Sequence, residues 1–364
     1  MLFTEQQIQF IRNENKNCEQ AKRVTDKMLT FMLEHQLFKL IIPEALGGKM
    51  LDFPSAIRAF QEASYADSNF GWLVTIGSGG GMFTQNMTEQ TARTFYSPEN
   101  AVIAGSGFPA GTAQPVKDGY IINGKWLYCS GSQFATLFTV SCNVISETGD
   151  ENHILAFALE PEQVDVEEDW NAFGLKGTSS NSIEIVNQFV PENHVFSIFE
   201  SQNDLGTTIH TFPFVQYSEA SFAAVSLGIG KHFLTEVESV LENNKQNWQQ
   251  GSTNRFASLK QKLINEEQRW EKANQAFHSV VEEAWGEHIK GNKLSDKLKE
   301  QFSTISKRSA ATAVFCANNL FRHVGMQAVM EHNNLNQIWR DLHTASQHAF
   351  LIPTNEQESL PFGE

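Results

Sequence analysis

A histidine near the C-terminal end of the sequence is the first candidate for chemistry. His348 follows Asp341 and Thr344 at spacings that place the three side chains on one face of a predicted helix. An imidazole in such a polar setting, near the end of the last helix, can act as a general acid or base near neutral pH. His343 would point about 140° away from His348 on that helix, so the two cannot share an ion. No two of the eleven histidines lie at i and i+4 with a second ligand type around them, and the sequence predicts no metal site.

Three glycine-rich stretches can approach a ligand closely. Residues 105–113 and 174–181 combine glycines with hydroxyl side chains and backbone N–H groups that suit the polar edge of a ligand, although each stretch alone is typical of a loop. The third stretch, Gly77–Gly81, is not a dinucleotide-binding loop, because the last glycine of that motif would fall on Met82 and no β-α-β unit surrounds it. We expect Gly77–Gly81 to serve close packing beside a helix.

The overall charge excludes nucleic acid as a partner. The 364 residues carry 27 basic and 42 acidic side chains, a net charge of −15, and no run of Lys and Arg exceeds two residues. The sequence lacks an apolar run that could span a membrane and a secretion signal at its start, which predicts a cytoplasmic protein. The four cysteines form no C-x-x-C pair, which argues against a disulfide framework or a zinc site. The 28 Phe residues suit a large core or an apolar pocket.

Helices are predicted at the start of the chain. A capping box at Thr4 and Gln7, followed by apolar residues at helical spacing as far as Phe31, predicts one long amphipathic helix. A second helix is predicted after Pro54, with apolar residues on one face.

The pattern changes to short β-rich runs near residue 105. Gly119–Tyr128 predicts a β-hairpin with a type I′ turn at Asn123-Gly124. Further strands are predicted at 137–141, 154–158 and 182–186. The middle of the sequence is therefore expected to be a small β domain.

The last third of the sequence has the 3.6-residue period of helices. One long helix is predicted from Phe256 to Ala284, after Gly251-Ser252 and before Gly291-Asn292. With further helices predicted at 211–245, 294–330 and 335–350, this region should form a four-helix bundle followed by a loose tail from Pro353 onward. The predicted fold is mainly α with a central β domain, divided into a helical domain (1–104), a β domain (105–204) and the bundle (205–364).

Several motifs in consecutive order resemble the acyl-CoA dehydrogenase superfamily over nearly the whole chain. They are Ile42–Gly48, similar to an early PE-x-x-GG segment, the Phe108–Thr112 loop, the hairpin end Tyr128–Gly131, and Gly174–Ile183 followed by Phe189-Val190-Pro191. The resemblance implies the fold of that family, with a helical N-terminal domain, a barrel-like β domain and a C-terminal four-helix bundle. It also implies a flavin between the β domain and the bundle, and a homo-oligomer, usually a dimer of dimers.

Two segments are closer to the flavin-dependent monooxygenase branch of this superfamily. Gly124–Gly131 resembles that branch's G-x-W-x-x-x-SG form, and Trp339–His348 resembles its W-R-D-x-x-T-x-x-x-H ending. In that branch a separate flavin reductase supplies reduced flavin, which suits oxygenation of a small, largely apolar substrate with O2. By this resemblance, Ser130 lies beside the reactive ring nitrogen of the flavin, and His348 faces the ring as an acid or base.

The resemblance also implies a set of residues that contact the flavin. They lie in the glycine-rich stretches, at the hairpin end and in the last helix, and are Gly107, Phe108, Gly111, Thr112, Tyr128, Ser130, Thr178 and Arg340. The R-x-x-F-G segment that reaches the FAD of a neighbouring subunit has no counterpart around residues 246–256. The expected cofactor is therefore FAD or FMN.

Two departures from the monooxygenase pattern keep other functions open. Gly77–Gly81 lacks the histidine that phenol-hydroxylating relatives carry, so the substrate need not be a phenol. Some dehydrogenases place their catalytic base on the first helix of the C-terminal domain, and Glu219 falls close to that position. An acyl-CoA dehydrogenase that oxidises a CH–CH bond with FAD, using Glu219 as base, is therefore the first alternative. A relative that binds a ligand without catalysis is the second.

Overall fold

Helices precede and follow a central β-sheet, which confirms the predicted mainly α fold. The computed structural model describes residues 2–145, 153–250 and 254–363. The first strand begins at Ile103, the last strand ends at Phe196, and the long C-terminal helices begin at Phe214. The exact domain boundaries at 104 and 204 stay predictions. No helix within the described ranges is long and apolar enough to cross a membrane.

The N-terminal region contains two helices where the sequence predicts one. Its helices are α1 (Glu5–Ala21), α2 (Asp26–Glu34), α3 (Phe53–Ala66), α4 (Ser68–Gly79) and α5 (Glu89–Tyr96). α1 begins at the predicted capping box, in which Gln7 N–H donates to the Thr4 hydroxyl and Thr4 N–H donates to Gln7 Oε1. The prediction of one helix through Phe31 is wrong, because Lys22 turns into the left-handed region (φ 55°) and Thr25 caps a new helix.

Gly77, Gly80 and Gly81, near the end of α4, serve close packing as the sequence predicts, whereas Gly79 faces open space. α4 ends at Gly79, and a 3-10 turn continues the helical path to Gln85. A Cβ added to Gly77 would lie 2.4 Å from the ring of Phe38. The absence of a side chain at this position therefore lets α4 approach the segment that precedes α3.

Within the described residues, the central region is one mixed sheet of seven strands. The strands are β1 (Ile103–Val116), β2 (Gly119–Cys129), β3 (Leu137–Val144), β4 (Ile154–Leu159), β5 (Asp165–Glu167), β6 (Asn181–Pro191) and β7 (Val195–Phe196). Their order is β5-β6-β2-β1-β3-β4-β7, with β1 and β3 parallel and the other pairs antiparallel. The strands predicted at 137–141, 154–158 and 182–186 are confirmed as β3, β4 and β6.

The predicted turn at Asn123-Gly124 is wrong, because both residues lie inside β2. β1 and β2 do form a hairpin, but its turn is at Lys117-Asp118, where Asp118 has a φ of 64°. A Cβ added to Gly124 would lie 2.6 Å from Gly111 Cα and 2.7 Å from the ring of Trp126. Gly124 therefore permits close contact with the neighbouring strand, which is the other common role of a strand glycine.

The C-terminal region confirms the predicted four-helix bundle. Its helices are α6 (Phe214–Asn243), α7 (Lys245–Gln250), α8 (Arg255–Ile289), α9 (Asp296–Val324), α10 (Met326–Val329), α11 (Asn334–Ala345) and α12 (Glu356–Ser359). α6, α8, α9 and α11 pack together, and α6 also packs against α3, which joins the bundle to the N-terminal helices. The pair Gly251-Ser252, predicted to precede the longest helix, lies outside the described residues.

The expectation of a loose C-terminal tail is wrong for the described part of the chain. Glu358 in α12 is buried and accepts a hydrogen bond from Lys307 Nζ of α9 at 3.1 Å. Arg308 and Arg269 donate to the Leu360 and Phe362 carbonyls at 3.0 and 2.7 Å. Polar side chains of the bundle therefore bind this segment through its backbone, a signal that hydrophobic periodicity does not contain.

Replacing Glu358 by Ala is expected to lower the free energy of unfolding by about 3 kcal/mol, because the buried Lys307 ammonium loses its nearest carboxylate. Urea denaturation followed by circular dichroism measures the change. Glu356→Ala is the control, since Glu356 is exposed in the same helix and its removal should cost less than about 0.5 kcal/mol. Equal stability of the wild type and Glu358→Ala would contradict the tight attachment of this segment.

Candidate active site

The hydroxyl of Ser130 lies just beyond the end of β2. Cys129, the last residue of β2, pairs with Asn181, the first residue of β6, so the residues beyond these strand ends meet at one edge of the sheet. Ser130 Oγ is 2.7 Å from Ser180 Oγ and accepts a hydrogen bond from Trp72 Nε1 at 2.9 Å. Ser130 and Ser180 are each 5% exposed, so these contacts are largely removed from water.

The buried hydroxyls continue from Ser180 to Thr178. Thr178 Oγ1 is 2.7 Å from Ser180 Oγ and donates to the Leu175 carbonyl at 2.8 Å. Thr178 is fully buried. The series that runs from the Trp72 indole through the hydroxyls of Ser130, Ser180 and Thr178 to the Leu175 carbonyl is called here the hydroxyl chain.

A turn formed by residues 174–180 brings two of these hydroxyls to the end of β2. Leu175 and Ser179 both have positive φ (50° and 48°), a conformation that costs free energy for residues other than glycine. Leu175 N–H donates to Asp341 Oδ1 at 2.6 Å, and a second backbone N–H of the turn donates to Asn69 Oδ1 at 2.9 Å. α11 and α4 therefore hold the turn in place from two sides.

Asp341 supports the turn from a fully buried position. Burial raises its pKa well above that of an ordinary aspartate, the charge of Glu19 raises it further, and the hydrogen bond from Leu175 N–H lowers it. Asp341 Oδ2 has no hydrogen-bond partner among the described residues. Burial also raises the pKa of Asp67, which caps α4, to about 7. Acidic groups are therefore concentrated behind the turn.

Arg340 connects α11 to helix α1 and to Phe173, the residue just before the 174–180 turn. Its guanidinium lies 3.0 Å from Glu19 in α1, donates to Asn336 Oδ1 at 2.9 Å, and donates to the Phe173 carbonyl. A Cβ added to Gly174 would lie 2.2 Å from the Arg340 carbonyl, so this glycine lets the turn reach the helix. The flavin contact expected for Arg340 stays a prediction, and the structure gives the residue a positional role.

His348 lies among aromatic rings, so the predicted polar setting is wrong. Its ring stacks on Phe222 with centroids 3.5 Å apart, and the rings of Trp72 and Phe350 lie 5.9 and 5.7 Å away. His348 Nδ1 accepts from Phe350 N–H and caps a short turn that follows α11. The error comes from extending the last helix, because α11 ends before His348 and the residue no longer shares a face with that helix.

The aromatic surroundings keep the His348 imidazole neutral. Burial lowers the pKa of His348 to about 4, so the ring carries no charge near pH 7. Because Nδ1 accepts a hydrogen bond, we assign the single proton to Nε2. A neutral imidazole of this kind can donate a hydrogen bond or exchange a proton at Nε2 without adding a permanent charge to the site.

Trp72 is a site residue that sequence reasoning missed. Its indole N–H donates to Ser130, its ring meets the His348 ring edge-on, and it lies 5.5 Å from the Phe222 ring. The structure thus brings two of the three predicted catalytic side chains, Ser130 and His348, to one indole. The one local signal that could have identified Trp72 is its place in the apolar helix α4, since a buried indole N–H needs a hydrogen-bond partner. That partner is 58 residues away, which spacing cannot show.

Glu219 lies inside the four-helix bundle. It is 4% exposed, accepts a hydrogen bond from Ser303 Oγ at 2.6 Å, and lies 4.0 Å from Lys307 Nζ. Burial raises its pKa, whereas the Ser303 hydrogen bond and the Lys307 charge lower it. These partners belong to α9, and no described hydrogen bond links Glu219 to the hydroxyl chain.

The remaining predicted flavin contacts lie on β1 and β2. Four of them present exposed surface, namely Gly107, Phe108, Thr112 and Tyr128. The Phe108–Thr112 segment, expected to be a loop, is part of β1 at a register shift against β3. Gly111 is buried, and a Cβ there would lie 2.3 Å from the Trp126 ring. Whether these residues touch a flavin stays a prediction.

Comparison with known proteins identifies the family. Residues 3–99 match the acyl-CoA dehydrogenase N-terminal domain, and residues 220–353 match the acyl-CoA dehydrogenase C-terminal domain. Together the two matches cover more than half of the sequence, and the chain belongs to the acyl-CoA dehydrogenase superfamily. The resemblance inferred from the short motifs is confirmed.

Named relatives within this superfamily are monooxygenases. The chain is 22% identical to indole-3-acetate monooxygenase of Pseudomonas putida, over 92% of this chain and 85% of that protein. It is 23% identical to the flavin-dependent monooxygenase, oxygenase subunit HsaA, of Rhodococcus jostii, over 97% of this chain and 95% of that protein.

Solved structures share the fold. The HsaA monooxygenase from M. tuberculosis superposes with a TM-score of 0.88 at 19% identity, covering 95% of this chain and 93% of that chain. XiaF from Streptomyces sp., in complex with FADH2 and glycerol, superposes with a TM-score of 0.84 at 18% identity, covering 94% and 88%. These likenesses confirm the predicted arrangement of helical, β and helical regions.

Replacing His348 by Phe is expected to make stability less dependent on pH. Because the folded-state pKa is lowered to about 4, the unfolded chain binds the proton first, and the associated stability is lost as pH falls from about 6.5 to 4. The wild type should lose about 2 kcal/mol more than His348→Phe between pH 7 and pH 5.

Urea denaturation of both proteins at the two pH values measures this difference. His332→Gln, at an exposed position, is the control and should keep the wild-type pH dependence. Parallel losses for the wild type and His348→Phe would contradict the buried, neutral state of the imidazole.

Proposed function

We propose that this protein is the oxygenase component of a two-component flavin-dependent monooxygenase. It would take reduced FAD or FMN from a separate flavin reductase and use O2 to oxygenate a small, largely apolar substrate. The observation that carries the proposal is the meeting of the Ser130 hydroxyl and the neutral His348 ring at the Trp72 indole. This arrangement combines hydrogen-bonding atoms with apolar walls, which oxygen chemistry on a flavin requires.

The residues around Ser130 fit a flat cofactor with polar edges. Phe108 and Tyr128 expose aromatic faces on β1 and β2, and Tyr128 lies 6.2 Å from the Trp170 ring. We propose that Gly107, Phe108, Gly111, Thr112, Tyr128, Ser130, Thr178 and Arg340 hold the cofactor. When bound, the reduced flavin supplies the electrons that activate O2.

His348 and the aromatic rings around it have separate tasks in this proposal. His348 Nε2 holds or moves a proton beside the ring of the cofactor, because its neutral form has one proton there. Trp72 and Phe222 exclude water from the same space, since both are buried. Ser130 places a hydrogen-bonding oxygen at the ring nitrogen.

The surroundings favour a small, largely apolar substrate with an aromatic or aliphatic body. The rings of Trp72, Phe222 and Phe350 surround His348, and the Gly77–Gly81 segment has no histidine that could deprotonate a phenol. Relatives carry names such as indole-3-acetate monooxygenase and p-hydroxyphenylacetate 3-hydroxylase, oxygenase component, which suit small aromatic substrates in general.

Two further proposals concern the setting of the enzyme. All four cysteines are free and buried, which suits the reducing cytoplasm.

Met326, Val329 and Met330 at the end of the bundle are 74%, 48% and 44% exposed. This apolar surface supports assembly into a homo-oligomer such as a tetramer or dimer.

The dehydrogenase alternative depends on Glu219 and has less support. The Glu219 carboxylate accepts a hydrogen bond from Ser303 and lies near Lys307 inside the bundle, which is a structural environment. The non-catalytic alternative has no specific observation in its favour.

Mixing the protein with reduced FMN or FAD, then with O2 and a panel of small aromatic substrates, is expected to give product that contains one atom of labelled oxygen. Mass spectrometry with ¹⁸O2 measures this incorporation. Anaerobic bleaching of bound oxidised flavin by an acyl-CoA thioester would instead support the dehydrogenase. If neither oxidation state of either flavin binds, the proposed function is wrong.

Replacing His348 by Asn is expected to lower the rate of product formation by about 10²-fold, because the proton at Nε2 is lost. His343→Asn is the matched control, since His343 lies on α11 and contacts Asn318 at 2.9 Å. Product formation, assayed together with anaerobic binding of reduced FMN, separates lost oxygen transfer from lost flavin binding. Equal product yields from both variants would remove His348 from the mechanism.

A further inference from the structure

The hydroxyl chain has a fixed donor at one end and a fixed acceptor at the other. Trp72 Nε1 carries a hydrogen and no lone pair that could accept, so it can only donate to Ser130. The Leu175 carbonyl has no hydrogen, so it can only accept from Thr178. Between these ends, each of the three hydroxyls can in principle point its single proton in either direction.

Counting protons removes this freedom. The hydroxyl chain contains four contacts, from Trp72 to Ser130, Ser130 to Ser180, Ser180 to Thr178, and Thr178 to Leu175. It also contains four protons, one on the indole and one on each hydroxyl. Every contact has a proton only if all the hydroxyls donate in the same direction, towards the Leu175 carbonyl.

Any other arrangement leaves two oxygens in contact without a proton between them. If Ser130 turned its proton elsewhere, the protons of Ser180 and Thr178 would have to serve three contacts, and one of the three between Ser130 and the Leu175 carbonyl would have no proton. An unsatisfied contact between buried polar atoms is costly, and Ser130, Ser180 and Thr178 are all at most 5% exposed. The proton of Ser130 is therefore committed to Ser180.

We propose that Ser180 is a positioning residue that turns the Ser130 hydroxyl into an acceptor, so that the site prefers reduced over oxidised flavin. The proposal rests on the proposed function, in which Ser130 faces the reactive ring nitrogen. Ser130 Oγ already accepts from Trp72, and its proton is used on Ser180, so one lone pair is left for a ligand.

The chemistry of the flavin ring makes this lone pair selective. The reactive nitrogen carries a hydrogen in reduced flavin and only a lone pair in oxidised flavin. An acceptor at Ser130 therefore forms a hydrogen bond with the reduced ring and meets the oxidised ring with two facing lone pairs. An enzyme that receives reduced flavin from a reductase and returns it oxidised needs this order of affinities.

Anaerobic titration of the full-length protein with reduced FMN, and a separate titration with oxidised FMN, tests the proposal. Ser180→Ala frees the Ser130 proton, so Ser130 can donate to the oxidised ring. The ratio of the oxidised to the reduced dissociation constant is expected to fall at least about tenfold relative to the wild type, in line with one lost hydrogen bond. A tenfold fall lowers the two-electron potential of bound FMN by about 30 mV.

A second variant and two controls separate polarity from packing. Thr178→Val removes the acceptor of the Ser180 proton, which then turns to Ser130, so the ratio should fall as in Ser180→Ala. The Leu175 carbonyl keeps a hydrogen bond from Trp170 Nε1 at 2.8 Å in this variant. Ser180→Thr keeps the hydroxyl and should keep the wild-type ratio. Ser132→Ala should also keep the wild-type ratio. The buried Ser132 hydroxyl donates to the Ser179 carbonyl, which is not part of the hydroxyl chain.

The outcomes distinguish this proposal from the proposed function. If the wild type binds reduced FMN more tightly than oxidised FMN and both Ser180→Ala and Thr178→Val lose that preference, the positioning role holds. If either variant folds, binds FMN and keeps the wild-type ratio, the positioning role is wrong while the monooxygenase function stands. If the wild type binds neither form of FMN or FAD, both proposals are wrong.

Discussion

The hydrogen bond from Leu175 N–H to Asp341 Oδ1 is the contact on which the site depends. It joins a helix of the bundle to a turn of the sheet at 2.6 Å, in a fully buried position. A buried carboxyl group is costly without such donors, so this bond strongly favours one position of the turn. Only in that position do the hydroxyls of Thr178 and Ser180 continue the series that begins at Ser130.

The acidic side chains lie on the side of the turn away from the hydroxyl groups of the site. Behind it lie Asp341, Asp67 and Glu19, partly balanced by Arg340, which touches Glu19 at 3.0 Å. In front of it lie hydroxyl groups, indole and phenyl rings, and an imidazole that burial keeps neutral. Acidic side chains therefore position the turn from behind, whereas hydroxyls, aromatic rings and a neutral imidazole remain to meet a ligand. This division suits chemistry in which stray protons and water are harmful.

Features that repeat locally could be predicted from the sequence, whereas contacts between distant segments could not. The bundle and three of the strands follow from hydrophobic period, because each helix or strand face is set by its own residues. Gly124 predicts a turn that does not form there, since a glycine that fits a turn also fits a close strand contact. The sequence identifies His348 but predicts the wrong environment for it, because its stacking partner, Phe222, lies in α6, more than 100 residues earlier in the sequence. The role of Trp72 could not be predicted for the same reason, because Ser130, which accepts its hydrogen bond, lies in another element.

The hydroxyl chain draws its members from two separate stretches of the polypeptide. Ser130, Thr178 and Ser180 belong to the sheet region, whereas the first donor, Trp72, belongs to α4. A recombination event that exchanged only the sheet region between relatives would carry the three hydroxyls together and leave their donor behind. An α4 without an indole at that place would then face a dry, unfilled acceptor. Exchange of either region alone would therefore lose the hydrogen bond from Trp72 to Ser130. For this reason α4 and the sheet region must be inherited together.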